Sequence, residues 1–184
     1  MKTVRIGAAQ GFYGDTIEPA VATAKDGDVQ YLCFDALAEL TMSILTKDKQ
    51  KDPNLGYTKD TTLNMKALLP FVKAKGMKIL TNAGGVNPVA ARDEVVRIAE
   101  ELGIEGLKIA VVTGDNVIDR IDALRAEGVS LEHMETGESI DEVKDKLLFA
   151  NAYLGAQPIV DALQEGADVV ITGRTTDTAQ FLAP

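Results

Sequence analysis

The sequence of 184 residues has no tryptophan, one cysteine and one histidine, and aromatic residues make up only 5% of it. A single cysteine, Cys33, excludes a disulfide within the chain. Because Cys33 lies in the apolar run from Tyr31 to Phe34, we expect a buried small hydrophobic residue, with a reactive thiol as the alternative. The scarcity of aromatic residues predicts an aliphatic core, which is typical of sheets covered by helices on both faces.

The sequence also lacks any run of basic residues, and its formal net charge is -9 with a pI near 4.6. Such a negative field repels phosphate backbones and anionic lipid surfaces, so we expect neither a nucleic acid nor a membrane as a partner. No apolar stretch has the length of a membrane span, and the first residues lack the apolar segment of a signal peptide. A cytoplasmic location is therefore expected.

Strand and helix patterns alternate along the chain. Apolar runs predict strands at 4–9, 29–34, 77–81, 107–113 and 168–172. Helical spacing predicts helices at 16–24, 36–49, 61–75, 88–102, 117–127 and 158–164. Gly76 marks the end of one predicted helix, and the pair Asn87-Pro88 marks the start of the next. Ser139 with Glu142 predicts a further helix start. A short strand is also expected at 129–133.

Repeated strand–helix–strand units imply a parallel sheet with right-handed crossovers. We therefore predict a single α/β domain over residues 1–184. Its architecture is expected to be a three-layer, mostly parallel, doubly wound sheet of the Rossmann-like kind with helices on both faces. Part of a barrel is the alternative.

Five loops that follow predicted strands carry polar residues and glycines. The carboxyl ends of parallel strands share one edge of a sheet, and ligands bind beyond that edge. The loops would meet there, and the N-termini of the helices that follow them would favour a carboxylate or a phosphate. The residues concerned are Gly11, Gly14, Asp15, Asp35, Glu39, Asn82, Gly84, Gly85, Asn87, Gly114, Asp115, Asn116, Gly173, Arg174 and Asp177.

Each loop also has an ordinary structural explanation. Glycines serve tight turns, and Asp15, Asn87 and Asn116 could simply cap helices. The carboxylates among these residues could transfer protons, hold a divalent metal or lie exposed. The loop after the first strand lacks the G-x-G-x-x-G spacing and no P-loop lysine follows, so NAD is not expected. His133 lies away from the five loops, and zinc-ligand spacing is absent.

Five segments at residues 11–20, 34–39, 81–88, 150–160 and 167–174 read GFYGDTIEPA, FDALAE, TNAGGVNP, ANAYLGAQPIV and ADVVITGR. Together and in this order they resemble the motifs of the acyclic terpene utilisation AtuA family. The resemblance implies a role in pathways that degrade acyclic terpenes and other branched acids through coenzyme A thioesters. It settles no catalytic residues. Members of the family are usually considerably longer, so it also implies that the chain is an N-terminal part.

Two functional hypotheses follow. The first is an enzyme domain that acts on a small branched carboxylate or its coenzyme A thioester by lyase- or hydratase-type chemistry. Its candidate catalytic residues are Asp15, Glu39, Asp115 and Asp177. Its candidate substrate-binding residues are Gly14, Asn82, Gly84, Gly85, Asn87, Asn151 and Arg174. The second hypothesis is a non-catalytic ligand-binding or assembly subunit of a multi-component enzyme. The expected partners are a small anionic metabolite and either further copies of the chain or a missing C-terminal part.

Overall fold

One open sheet organises residues 3–184, the part of the chain that the computed structural model describes. Its strands are β1 (Ile6–Gln10), β2 (Tyr31–Phe34), β3 (Lys78–Thr81), β4 (Ile109–Val112) and β5 (Val169–Thr172). All are parallel, and they lie in the order β1-β2-β3-β5-β4. In a barrel of alternating strands and helices each strand neighbours the next one along the chain, whereas here β5 lies between β3 and β4, so the barrel alternative is wrong. The predicted parallel α/β sheet is confirmed.

Helices cover both faces of the sheet. The helices of residues 3–184 are α1 (Glu18–Asp26), α2 (Glu39–Lys51), α3 (Thr61–Lys75), α4 (Pro88–Glu101), α5 (Ile121–Ala126), α6 (Gln157–Gln164) and α7 (Ala179–Leu182). Of these, α2 packs in a separate cluster with Leu37, and α5 lies in the segment 117–150. The connections from β1 to β4 advance in one direction, so right-handed crossovers place α1, α3 and α4 on one face. The chain then returns from β4 to β5, and α6 and α7 pack on the opposite face. These three layers confirm the predicted architecture.

The core is aliphatic, and the strands contribute to it on both faces. Ile79 and Val169 pack with α1, α3 and α4, whereas their neighbours Leu80 and Val170 pack with α6 and α7. Successive side chains of a strand point to opposite faces. Because both faces are covered, both sets are buried, and the strands read as continuous apolar runs.

Cys33 is fully buried on the α6 and α7 face of β2. Burial raises the pKa of its thiol to about 12. The thiol donates a hydrogen bond to the carbonyl oxygen of Gln180 at 3.3 Å. A thiol with this pKa is a poor nucleophile, so the structure supports the prediction of a buried small residue.

The predicted helix end at Gly76 and the predicted helix start at Pro88 are observed, whereas the predicted cap by Asn87 is not. Gly76 adopts a left-handed φ of 65° where α3 ends, and α4 begins at Pro88. Asn87 precedes α4, but its Nδ2 donates to the carbonyl oxygens of Pro53 at 2.9 Å and Leu55 at 2.8 Å. Its side chain makes no capping hydrogen bond, so the prediction that Asn87 caps the helix is wrong. The amide holds a neighbouring loop instead.

Residues 117–150 form an excursion from the sheet, which we call the arm. Its base is closed by an antiparallel bridge between Asn116 and Asn151 and by a 2.8 Å hydrogen bond from Val117 N to Ala150 O. The arm contains α5 and short 3-10 turns, and most of its side chains are exposed. It therefore contributes little to the core beside the sheet.

Two predictions within the arm are wrong. Residues 129–133 form no strand. Ser139 accepts a hydrogen bond from Asp141 N at 3.2 Å, but it caps the 3-10 turn Ile140–Glu142 rather than an α-helix. A capping box specifies where a turn starts, whereas the length of a helix depends on an apolar face that packs against something.

A pair of leucines in α3 tests which face of the helix carries the stability. Leu68 is fully buried, whereas Leu63 is 60% exposed. We expect Leu68→Ala to lower the free energy of unfolding by about 2–5 kcal/mol, because it removes buried methyl groups and leaves a cavity. Leu63→Ala is expected to change it by less than about 0.5 kcal/mol. Urea unfolding measures both, and equal losses would contradict the assigned core.

Candidate functional site

The carboxyl ends of β3 and β5 lie where neighbouring connections leave the sheet towards opposite faces. The chain runs from β3 to α4 and from β5 to α7, and these helices pack on different sides. Ligands of open α/β sheets bind in the crevice at such a point. The backbones approach closely here, since a Cβ on Gly84 would lie 2.5 Å from the carbonyl oxygen of Thr172. This crevice is the candidate site.

Arg174 lies two residues after the end of β5 and is buried in the crevice, with 4% of its surface exposed. Its Nη1 donates to the carbonyl oxygen of Leu37 at 2.6 Å. Its Nη2 lies 3.6 Å from Glu39 Oε1 and 3.5 Å from Asp177 Oδ1. The guanidinium carbon is 4.2 Å from the centre of the Tyr153 ring. Stacking and the bond to Leu37 together hold the guanidinium in one orientation.

Tyr153 and Glu39 cover the outer side of this guanidinium. The Tyr153 hydroxyl donates a hydrogen bond to the Glu39 carboxylate. This bond lowers the pKa of Glu39, the charge of Arg174 acts in the same direction, and the same bond raises the pKa of Tyr153. Glu39 is the first residue of α2, and 77% of its side chain is exposed. It therefore contacts Arg174 while remaining free to move into solvent.

Asp115, just beyond β4, connects Arg174 to the base of the arm. Its Oδ2 accepts hydrogen bonds from Arg174 N at 2.8 Å and from Asn151 Nδ2 at 2.7 Å. Its carbonyl oxygen accepts from Ala152 N at 2.7 Å. The carboxylate lies against Gly173, where a Cβ would be only 2.5 Å from Oδ2. Asp115 thereby joins the ends of β4 and β5 to the chain that leaves the arm.

Asn82 lies just after β3 and is fully buried. It positions the carboxyl group of Asp35, which lies just after β2. Its Oδ1 accepts from Ala36 N at 2.7 Å, so its Nδ2 is the group that donates to Asp35 Oδ1, also at 2.7 Å. Burial raises the pKa of Asp35 and the charge of Asp177 adds to the rise, whereas the Asn82 bond and the charge of Arg174 oppose it. A carboxyl with a raised pKa beside a guanidinium is typical of functional sites.

A cavity of about 200 Å³ lies against Arg174. It is lined by Glu39, Met42, Phe149, Asn151, Tyr153 and Arg174. Two further cavities of about 130 Å³ and 200 Å³ adjoin it, and Asn151 lines all three. A guanidinium, an amide, a carboxylate, a phenol and two apolar side chains therefore border the cavity beside Arg174.

The sequence profile of the acyclic terpene utilisation AtuA family matches residues 4–184. The chain belongs to the AtuA family. Comparisons with curated proteins and with solved structures found no match. The resemblance seen in the five motifs is thus confirmed over nearly the whole chain.

Four of the five AtuA motifs contribute to the crevice. They supply the carboxylates after β2, the amide after β3, the segment that leaves the arm and the guanidinium after β5. The structure brings together six of the residues predicted for the site. These are Glu39, Asn82, Asp115, Asn151, Arg174 and Asp177.

The first AtuA motif forms a loop with its own hydrogen bonds. Asp15 accepts from two amides of that loop, Gly11 N at 3.1 Å and Thr16 N at 2.8 Å. Gly14 N donates to Asp60 Oδ2 at 2.9 Å, just before α3. The carboxylate of Asp15 therefore closes its own loop. Roles for Asp15 in catalysis and for Gly14 in substrate binding stay predictions.

Gly84, Gly85 and Asn87 shape the backbone around the crevice. Gly85 has a φ of +54° and lines the 130 Å³ cavity, and a Cβ there would collide with Leu45. Asn87 holds the neighbouring loop through its side chain, as described above. In the structure these residues fix the walls of the site, and contact of their atoms with a substrate stays a prediction.

Two residues that were not among the named catalytic and substrate-binding candidates contribute to the crevice. Tyr153 sits in an irregular segment, where no periodic pattern singles out an aromatic ring, although the fourth AtuA motif contains it. Asp35 was one of the candidate carboxylates, and only its contact with Asn82 distinguishes it from the others. Both gain their significance from neighbours that are distant in sequence.

Neither a metal-ligand set nor a membrane span is found in residues 3–184. No three Asp, Glu, His or Cys side chains there are placed so that they could hold a metal ion. No helix in that range combines the length and apolar character needed to cross a bilayer.

His133 lies in the arm, where its Nδ1 accepts from Glu135 N at 3.3 Å and Thr136 N at 3.1 Å.

Substitution of Gly173 tests the contact between Asp115 and β5. An alanine Cβ would lie 2.5–2.7 Å from three atoms of the buried Asp115 carboxyl group. We expect Gly173→Ala to lower the free energy of unfolding by about 1–3 kcal/mol, because the carboxylate must shift. Gly155→Ala is the matched control, since no heavy atom lies within 4 Å of the position that its new Cβ would take. Chemical unfolding compares them, and equal stability of the two variants would contradict the close contact.

The raised pKa of Asp35 predicts how stability changes with pH. The folded protein holds this proton more tightly than the unfolded chain, so wild-type stability falls as pH rises from the usual range of an aspartate through the raised pKa. Asp35→Asn removes this loss. We expect the variant to gain stability relative to wild type as pH increases, with a plateau above the raised pKa. Urea unfolding between pH 4 and 7.5 measures the difference, and a difference that shrinks with pH would contradict the assignment.

Proposed function

We propose that the chain is an enzyme domain that binds a small branched carboxylate, or the acyl end of its coenzyme A thioester, in the cavity beside Arg174. The proposed chemistry is of the lyase or hydratase type, in the cytoplasmic breakdown of acyclic terpenes or branched acids. Family membership supports the metabolic setting. The observation that carries the binding mode is a buried, oriented guanidinium that lines a partly apolar cavity.

Arg174 has hydrogen-bonding capacity left for an anion. A guanidinium carries five N–H donors, and here only the bond to the carbonyl oxygen of Leu37 is short. The carboxylates of Glu39 and Asp177 lie at 3.5–3.6 Å, beyond the usual length of a charged hydrogen bond. Since both side chains are largely exposed, a ligand carboxylate could replace them without opening the core.

The size and lining of the cavity favour a short branched acyl group. An enclosed cavity of about 150 Å³ accepts benzene, so a space of about 200 Å³ suits a group of roughly six to eight heavy atoms. Met42 and Phe149 provide apolar contacts for its branches. In a coenzyme A thioester, the nucleotide portion would lie outside this cavity.

Proton transfer is assigned to the carboxylates that surround Arg174. Glu39 and Asp177 contact the guanidinium, and Asp35 is added to them because its raised pKa suits a proton donor. Asp115 is less suited, since one of its oxygens already accepts two hydrogen bonds. We therefore propose that Asp115 positions the site rather than reacts.

The second candidate function is a non-catalytic ligand-binding or assembly subunit, and exposed apolar surface favours it. A groove of about 480 Å³ lies between the edge strand β4 and α6. In the arm, Met134 is 96% exposed and Leu148 is 52% exposed. Apolar surface of this kind often marks contacts between proteins. Another copy of the chain would be the proposed partner.

Substitution of Arg174 tests the binding site. We expect Arg174→Met to weaken binding of 3-methylbutanoate about tenfold to a hundredfold, because a charge-assisted hydrogen-bond pair is lost. Arg92→Met is the control, since Arg92 is partly exposed and pairs with Asp93 on the surface. Calorimetric titration gives the affinities, and thermal unfolding verifies the fold of each variant. Equal affinity of the Arg174 variant and wild type would overturn the proposed site.

A further inference from the structure

A second cavity of about 200 Å³ adjoins the one beside Arg174, and we call it the outer cavity. Phe149 and Asn151 border both cavities. The other residues that line the outer cavity are Thr46, Lys49, Gln50, Val86, Asn116 and Leu148. A ligand that lies against Phe149 in the cavity beside Arg174 has this space next to it, and the proposed function gives it no role.

The two cavities follow one another along α2. Glu39 and Met42 border the cavity beside Arg174, whereas Thr46 and Lys49 border the outer cavity. These four positions lie on one face of the helix, because they recur at intervals of three or four residues. The seven residues from Met42 to Lys49 span about 10 Å along the helix axis. A ligand that occupies both cavities is therefore elongated.

The segment that leaves the arm forms the opposite wall. Leu148 borders the outer cavity, Phe149 and Asn151 border both, and Tyr153 borders the cavity beside Arg174. The segment thus passes the two cavities in the direction opposite to that of α2. Because two elements line both cavities in consecutive order, the cavities form one groove with Arg174 at one end.

The lining of the outer cavity offers hydrogen-bond donors and, within residues 3–184, no carboxylate. Lys49 is exposed, and in that range its one hydrogen bond is from Nζ to the carbonyl oxygen of Val86 at 2.8 Å. An ammonium group has three N–H donors, so two remain. Asn116 is also exposed, and its Oδ1 accepts from Ile118 N at 3.1 Å, which leaves its Nδ2 as a donor. In a chain of net charge -9, such a lining favours an anionic group.

We propose that the outer cavity holds a second anionic group of the ligand, a carboxylate or a phosphate, against Lys49. The site then takes an elongated molecule whose acyl end lies at Arg174 and whose far end is negatively charged. The inference rests on the proposed function, because it needs Arg174 to hold the acyl end. A dicarboxylate and the thioester of a phosphorylated thiol both have this form.

Matched ligands that differ by one anionic group test the proposal on the whole chain. The first pairs are the straight-chain dicarboxylates from glutarate to sebacate, each with its monomethyl ester. The second pair is the 3-methylbutanoyl thioester of phosphopantetheine and that of pantetheine. We expect the more anionic member of at least one kind of pair to bind about tenfold or more tightly in calorimetric titration, because it adds a charge-assisted hydrogen bond. A gain among the dicarboxylates indicates a carboxylate at Lys49, and a gain in the thioester pair indicates a phosphate.

Substitution of Lys49 tests whether the second anion lies in the outer cavity. We expect Lys49→Met to bring the two members of the pair to nearly equal affinity. Lys47→Met is the control, since Lys47 is exposed on the same helix and lines neither cavity. Loss of the gain in both variants, or in neither, would overturn the proposal. If Lys49→Met does not fold, Lys49→Gln takes its place, because glutamine removes the charge and keeps a donor for Val86.

The remaining outcomes separate this proposal from the proposed function. Equal affinity within every pair, on wild-type protein that binds 3-methylbutanoate, would overturn the second anion and leave the proposed function standing. If folded wild-type protein binds none of the acids or thioesters, both fail. Thermal unfolding verifies that each protein is folded.

Discussion

The carboxylate of Asp115 is the group on which the geometry of the site depends. One of its oxygens accepts from Arg174 N and from Asn151 Nδ2, so it fixes both residues relative to β4 and β5. It fits only because Gly173 has no side chain. Two donors that converge on one buried carboxylate oxygen form strong, directional bonds. The arm can therefore leave the sheet after β4 and return to a defined position over the crevice.

Arg174 is a single buried cation among several carboxylates, and this arrangement governs the electrostatics of the crevice. Burial of a charge is costly unless it is hydrogen-bonded and paired. Here the Leu37 carbonyl oxygen and the Tyr153 ring stabilise the guanidinium, while Glu39 and Asp177 balance its charge from the solvent side. The carboxyl pKa values near the guanidinium move apart, because the Tyr153 hydrogen bond lowers the pKa of Glu39 whereas burial raises the pKa of Asp35. Groups with pKa values moved in opposite directions are suited to acid–base roles.

Patterns in the sequence located most of the crevice because the carboxyl ends of parallel strands share one edge. Asn82, Asp115 and Arg174 were predicted there on this ground. Asn82 donates to Asp35, and the backbone N–H of Arg174 donates to Asp115. The same reasoning included Asp15 and Asn87, whose side chains instead stabilise loops. Residue type and position after a strand do not reveal which local amide or carbonyl a polar side chain will contact, because several lie within its reach.

The sequence by itself determined the parallel α/β architecture, because apolar runs and helical periods directly reflect burial on both faces of a sheet. It also determined the family, through motifs spread over the whole chain. Only the tertiary structure decided that Tyr153 stacks on Arg174, that Asn82 orients Asp35 and that Asn151 donates to Asp115. Each of these features depends on residues that are far apart in sequence. Their geometry follows from how strand ends and the returning arm pack together, and no local pattern encodes that arrangement.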